Sequence, residues 1–237
     1  MARGGLSEGG ASLANCAGRA MERTQEAKLG LTHFTGPSIP KKMLAKVLTL
    51  VEHNMKGFYG ASWDGVQKRE ELSHAETCLL LRCHDAEIHA VLAYRIEWEE
   101  GVRVAYIYEI QVAEAARGEG WGSMLLQEVE QIGRRAGTSG LMLTVHRENE
   151  RAIRFYTKRQ GFEISPLSPS LCAPPALLQT CDYEVMQLLW DTEARETLRK
   201  QGMEARRQLW IDALDEGSLH IRLVMRSRPV GRSRGRS

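Results

Sequence analysis

The 237-residue chain is poor in most of the features that mark a specialised class of protein. Its five cysteines, Cys16, Cys78, Cys83, Cys172 and Cys181, are odd in number and form no Cys-x-x-Cys pair. That spacing argues against a zinc site or a disulfide framework and predicts reduced thiols in a cytosolic or nuclear setting. No apolar run approaches membrane-spanning length, the amino-terminal residues carry no signal-peptide core, and Ala2 stands where myristoylation needs glycine; no membrane attachment is expected. A formal net charge of +2 is too small for the molecule as a whole to bind polyanions, so partners have to be read from local charge. No internal repeat is visible, and the length suits one mid-sized domain with expendable ends.

Both ends differ in composition from the middle. Residues 1–39 are rich in Gly, Ala and Ser and contain Gly4-Gly5, Gly9-Gly10 and Gly36-Pro37, which predicts a flexible leader. A single domain is expected over residues 40–190. Beyond it the sequence predicts a charged helix from Glu193 to about Leu214, and then Arg222, Arg226, Arg228, Arg232, Arg234 and Arg236 follow without an intervening acid. That arginine run reads either as a solvated tail or as a nucleic-acid contact or import signal.

Inside the domain, Met43, Leu44, Val47, Leu48, Val51 and Met55 recur at helical spacing from Lys41 onward. Strand-like segments follow at Thr77–Arg82, Ile88–Trp98 and Val104–Val112. The last runs into Arg117-Gly118-Glu119-Gly120-Trp121-Gly122 and a helix-like stretch from Ser123 to about Ala136. Glycines that open a helix at the end of a strand form a phosphate cradle, because the backbone can approach an anion closely and the first helical turn presents unpaired N–H groups. The competing reading is an ordinary glycine-rich turn. A short apolar strand, Leu141–Val145, precedes a second helix for which Asn149 is a plausible N-cap; Ala152, Ile153 and Tyr156 share one of its faces, and Gly161 stops it before a strand at Phe162. Strands alternating with helices predict an α/β sheet.

The combination of Arg117-x-x-Gly120-x-Gly122, a strand, and Asn149-x-x-Ala152-x-x-x-Tyr156-x-x-x-x-Gly161-Phe162 resembles the Gcn5-related N-acetyltransferase (GNAT) superfamily. More narrowly, several segments look like the NatD-type histone Nα-acetyltransferases: Asn54-Met55 with Tyr59 and Trp63, Tyr106 through Val112, Ser165-Pro166 with Ser168-Pro169-Ser170, and Cys181-Asp182-Tyr183-Glu184. This likeness covers roughly residues 45 to 190. It implies a GNAT fold, with a mixed central sheet, flanking helices and a cleft for acetyl-CoA between splayed strands. The implied substrates are histone tails beginning Ser-Gly-Arg-Gly. Such relatives carry a lysine-rich amino-terminal extension, whereas the basic segment here is at the other end, so the likeness transfers no ribosome or nuclear association; a monomer in the cytoplasm and nucleus is expected, the compartment from the reduced thiols. Alternatives within the fold are acetylation of a lysine or a small amine; outside it, a catalytically idle acyl-CoA-binding or nucleic-acid-binding module. A Rossmann dinucleotide site fits less well, since no acidic residue ends a strand about twenty residues past the glycines.

Acetyl transfer needs a fixed donor, a neutral amine, and stabilisation of charge developing on the thioester oxygen and sulfur. The backbone of Arg117, Gly118, Glu119, Gly120, Trp121, Gly122 and Ser123 is the expected diphosphate cradle, with Arg117 adding a charge-assisted contact. Glu119 is unfavourable there unless its side chain turns away. By resemblance, a backbone N–H near Val112 polarises the oxygen, the pantetheine arm pairs with strand backbone at Gln111 and Val112, Asn149 bonds the arm, and Tyr156 protonates the departing thiolate. Asn149 is otherwise an N-cap and Tyr156 a core tyrosine. An α-amine ionises near 7.7–8.0 against about 10.4 for lysine, so deprotonating it at neutral pH costs roughly 3.5 kcal/mol less and a modest base suffices. Glu109 is the first choice, directly or through water, with Tyr106, Tyr108 and Tyr183 completing a polar pocket. Strict alternation puts Tyr106 and Tyr108 on one side of the strand and Glu109 on the other; only a bulge reconciles them. Glu97 and Glu99 share a strand face and read either as receivers of the tail's arginine or as an exposed hairpin face. Tyr59 and Trp63 are expected in a loop that covers the tail. No metal ligands are assigned.

Overall fold

A computed structural model describes residues 30–215 except Ala86. The leader up to residue 29 and the arginine-rich segment after residue 215 lie outside the described residues. Residues 31–35, assigned to the leader from composition, instead form a strand, β1 (Leu31–Thr35), which pairs antiparallel with β2 (Cys78–His84) and buries Leu31. Its five residues are too few to show a pattern, and only pairing with β2 reveals them.

Helix α1 (Lys41–Tyr59) buries Leu44, Val47, Leu48 and Val51, the stripe visible in the sequence, and ends where Gly60 adopts a φ of 54°. Tyr59 is therefore the last residue of a helix; only Trp63 lies beyond it, after a single turn at Gly60–Ser62. Helix α2 (Gly65–Ser73) had no sequence signature. Asp64 caps it, its carboxylate accepting from the Val66 and Gln67 amides, and its buried residues are Lys68, Glu71 and Leu72. An inward face that is mostly charged shows no apolar period.

Strands β3 (Glu87–Glu99) and β4 (Val102–Val112) make a long hairpin, turning at Glu100 (φ 44°) and Gly101 (φ 85°), the left-handed pair that a two-residue turn requires. Helix α3 (Trp121–Arg135) carries the chain over to β5 (Gly140–His146), parallel to β4. After α4 (Glu150–Arg154), a π-helical turn over Phe155–Arg159 and β6 (Glu163–Ile164), two short helices, α5 (Pro169–Cys172) and α6 (Pro175–Leu178), lead to β7 (Tyr183–Leu189) and α7 (Thr192–Asp215). The sheet has seven strands in the order β1-β2-β3-β4-β5-β7-β6.

One face of the sheet carries α3 and α4 over Leu92, Tyr94, Ala105, Ile107 and Leu143. On the other face, α1 and α2 pack on Leu79, Leu81, Val91 and Ala93, and α7 packs on Val102, Val104, Tyr106 and Met142. The site lies on this second face, between those two helical groups. No helix among the described residues is long and apolar enough to cross a membrane.

The Ser-Pro segment before α5 is tied to β7 by a buried carboxylate. Ser168 and Ser170 hydroxyls donate to Glu184 Oε2 (2.5 and 2.6 Å), Arg147 pairs with Oε1 at 3.2 Å, and the Val185 amide donates to Ser168 Oγ (2.8 Å). Ser168→Ala removes one donor and one acceptor from this buried set. It is expected to lower the free energy of unfolding by about 1–3 kcal/mol, read as a lower urea midpoint with an unchanged slope.

Candidate active site

Strand β4 contains the bulge that the sequence left conditional. Ile107 stands opposite Tyr94 and Glu109 opposite Ala93, so Tyr108 is an extra residue with no partner in β3. Before it, Ala105 and Ile107 face the α3 core while Val104 and Tyr106 face the other way; after it, Ile110 and Val112 face α3. Tyr106, Tyr108, Glu109 and Gln111 consequently share the second face. Glu97, opposite Val104, joins them, and the Tyr108 hydroxyl contacts both of its carboxylate oxygens (3.1 and 3.2 Å). Glu99, opposite Val102, is on the same side.

Pairing between β4 and β5 ends at Ile107–Leu143, although β4 continues to Val112 and β5 to His146. The two strands thus splay. On the far side of β4 the Ala113 amide donates to His89 O (2.8 Å), and since strand amides alternate in direction the Val112 N–H points into the gap. The gap ends at the glycine turn. Gly118 and Gly120 have φ of 91° and 89°, and a Cβ at either would have no heavy atom within 4 Å. Gly120 is the N-cap of α3 and provides no side-chain cap, so the first-turn amides of a 15-residue helix face an open cradle. Gly122 has a different reason to be glycine: a Cβ there would sit 3.1 Å from the Phe155 ring. The Glu119 carboxylate accepts from the Trp121 indole N–H (2.8 Å), and the Ser123 hydroxyl accepts from Gln160 (2.7 Å). Arg117 is exposed, with Nη2 on Asn54 Oδ1 at 2.9 Å. Backbone amides, open volume and an exposed guanidinium, tethered to Asn54 and the Val112 carbonyl, fit a diphosphate.

Several side chains do something other than expected. Gln111 does not face the cradle: it is buried, donates to Glu109 Oε2 (2.9 Å) and accepts from Asn54 (3.0 Å), leaving only its backbone for a ligand. Asn149 is the N-cap of α4, accepting from the Ala152 amide (3.1 Å). Tyr156 is buried against Phe155 and Phe162 on the π-helical turn, and burial, aided by the Glu109 charge, holds its phenol well above the ordinary value. It is both a core residue and one that keeps its proton. Tyr106 shares a 2.6 Å hydrogen bond with Thr144, and burial pushes Tyr183 up to about 12. Tyr59 and Trp63 stack edge to face (5.7 Å), and Tyr59 also meets the His146 ring at 4.7 Å.

The largest departure concerns Glu109, which is not a free carboxylate. Oε1 lies 2.6 Å from Lys68 Nζ, and the same Nζ holds Glu71 Oε1 at 2.9 Å. All three residues are buried. Burial pulls the Lys68 ammonium down, but Glu109 and Glu71 outweigh it and hold it raised; burial raises Glu71 to about 7, with Lys68 opposing and Glu109 reinforcing the shift. Arg95, also buried, lies 4.4 Å over the Tyr108 ring and donates to the Glu71 carbonyl (3.0 Å). Lys68, Glu71, Arg95 and His146 were all missed in the sequence; a Lys-x-x-Glu step on a polar helix looks like a solvated pair. Among the described residues no cluster of His, Cys, Asp or Glu could hold a metal ion.

Residues 45–162 match the model of the acetyltransferase (GNAT) family. The domain belongs to this family. Among solved structures, a protein from Desulfovibrio desulfuricans described as a GNAT-family acetyltransferase shares the fold with a TM-score of 0.51 at 17% identity, over 67% of this chain and 98% of that one. PaiA N-acetyltransferase of Thermoplasma acidophilum in complex with coenzyme A has a TM-score of 0.49 at 15% identity, over 68% and 99%. Arabidopsis thaliana Naa50 bound to a bisubstrate analogue has a TM-score of 0.46 at 23% identity, over 68% and 99%. The GNAT domain here thus has an open cradle, a splayed cleft and a bulged strand, with an ionic cluster behind it.

Because Glu71 is raised above its ordinary value of 4.5, it favours the fold fully below that pH and the advantage is lost as pH rises through about 7. Glu71→Gln, which cannot ionise but can still accept from Lys68, is expected to flatten the decline in stability over that window. Urea titrations at pH 4.5 and 7.5 would show parallel losses in both proteins if the pair were an ordinary ion pair.

Proposed function

We propose that the protein is an acetyl-CoA-dependent Nα-acetyltransferase that acts on histone-type tails beginning Ser-Gly-Arg-Gly. The observation that carries this reading is the bulge at Tyr108, which gathers Tyr106, Tyr108, Glu109 and Glu97 on one face beside the splayed gap. Acid and tyrosine around a small cleft suit a cationic, main-chain-terminal amine. The likeness to NatD-type enzymes in the same segment supports the same choice.

Acetyl-CoA, when bound, supplies the acetyl group as an activated thioester. The Gly118–Ser123 amides and Arg117 bind its diphosphate, and the strand backbone at Gln111 and Val112 holds the arm, with Asn149 at its far side. The Val112 N–H is aimed where negative charge grows on the carbonyl oxygen. Glu109 takes the proton of the incoming ammonium, directly or through one water, and Tyr156 keeps a proton available for the departing sulfur. Glu97, with Glu99 beside it, receives the tail's arginine; Tyr59, Trp63 and Tyr183 close over the first residues. This reading implies work in the cytoplasm and nucleus.

The test is transfer from acetyl-CoA to a peptide that begins Ser-Gly-Arg-Gly and carries a lysine further along, with the acetyl located by fragment masses. Label on the α-amine, abolished by blocking that amine, is the expected result; label confined to lysine would overturn it. Glu97→Gln is expected to raise KM for Ser-Gly-Arg-Gly by about ten- to a hundredfold, since a charge-assisted hydrogen bond contributes about 1.5–3 kcal/mol, and to leave KM for Ser-Gly-Ala-Gly nearly unchanged.

A further inference from the structure

The Lys68 ammonium is in direct contact with two acids. Glu71 and Glu109 both contact the Lys68 ammonium through Oε1, and Gln111 satisfies the second oxygen of Glu109. The second oxygen of Glu71, Oε2, is buried and has no hydrogen-bond partner. An ionised carboxylate with one oxygen stranded out of water is costly, and protonation lowers that cost because a neutral carboxyl loses much less on leaving water. Two carboxylates on one ammonium form the arrangement in which one ionises readily and the other retains a proton.

We propose that this cluster is a proton-holding site for acetyl transfer, in which Glu71 keeps the proton that the acceptor amine gives up and Lys68 passes it across. The inference rests on the amine-acetylation reading above. The step starts from Glu71 as a carboxylate, the form it takes as pH rises through neutrality, and balances without a co-reactant. An N–H bond of the acceptor ammonium breaks and the proton joins Glu109. Glu109 returns it to Lys68 Nζ as Lys68 yields another of its protons to Glu71. The amine is then neutral, Glu109 is ionised again, Lys68 remains an ammonium, and Glu71 is a carboxylic acid. Glu71 never touches the substrate. It is a positioning residue for a proton, and Glu109 is the group that faces the cleft.

The charged and titratable groups around Glu71 suit this role. Lys68 lies on its own helix and Glu109 on β4. Arg95 on β3 holds the Glu71 carbonyl and moderates its charge, and Tyr59 at the end of α1 lies 6.0 Å from Lys68 Nζ. Burial, opposed by Lys68 and reinforced by Glu109, carries Glu71 to about 7, close to the ordinary α-amine range of about 7.7–8.0. An unshifted glutamate near 4.3 would be a much weaker acceptor.

Two measurements test the proposal. In the first, kcat/KM is followed against pH for the wild-type chain and for Glu71→Gln on whichever amine the wild type acetylates. Wild type is expected to fall below neutrality with a limb of slope about two, from amine and cluster. Glu71→Gln is expected to lose about tenfold or more at pH 7 and to retain a slope of about one. Partial rescue by Glu71→Asp, with unchanged thermal midpoints, would exclude a folding defect. A wild-type limb in Glu71→Gln overturns the proposal. In the second, the Glu71 carboxyl is titrated by 13C NMR, its signal assigned by its loss in Glu71→Gln. A midpoint near neutrality is expected, and one at the ordinary carboxylate value overturns the proposal. The titration needs no substrate, so a failure of the histone-tail reading would appear separately, as a wild-type enzyme silent toward the peptide.

Discussion

The site depends on a single extra residue in β4. Tyr108 has no partner in β3, and its insertion reverses the direction of each residue that follows. Without it Glu109 and Gln111 would enter the α3 core and Ile110 and Val112 would face the cleft, exchanging two carboxamide and carboxylate groups for two aliphatic ones. The bulge also sits where β4 parts from β5. A bulge sharpens local twist, so the device that brings Glu109 to the second face also helps to open the gap.

A continuous set of hydrogen bonds runs behind the bulge. Arg117 holds Asn54, Asn54 holds Gln111, Gln111 holds Glu109, and Glu109 meets Lys68, which meets Glu71. This chain joins the glycine turn to α2 through groups that are mostly buried. Buried charge is tolerated only with partners, and here nearly all polar atoms have one. The exception is Glu71 Oε2, on the last member of the chain. Burial of charge also accounts for α2, which sits on the sheet by ionic contacts and Leu72 rather than by an apolar stripe.

Much of the fold was legible in local pattern. The stripe on α1, the strand-like runs of β2 to β4, the glycine turn and the cap at Asn149 each follow from the period or chemistry of adjacent residues. What was not legible depends on partners distant in the chain. β1 is recognisable only once β2 accepts it. Lys68 and Glu71 resemble an exposed pair until Glu109 is placed against them. His146 acquires its setting from Phe58 and Tyr59, which are more than eighty residues earlier. The Gln111 side chain links Asn54 to Glu109, and the absent side chain of Gly122 makes room for Phe155; neither use shows in the motif that their backbones belong to.

By itself the sequence determined an α/β domain with a glycine-opened helix behind a strand, because left-handed turns, helix caps and hydrophobic periods are set by neighbouring residues. It also determined which acids and tyrosines lie along β3 and β4. Only the tertiary structure decided which way they point and which are already engaged. A bulge is defined by the strand opposite, and the charge state of a buried carboxylate is set by whichever cation the fold brings against it.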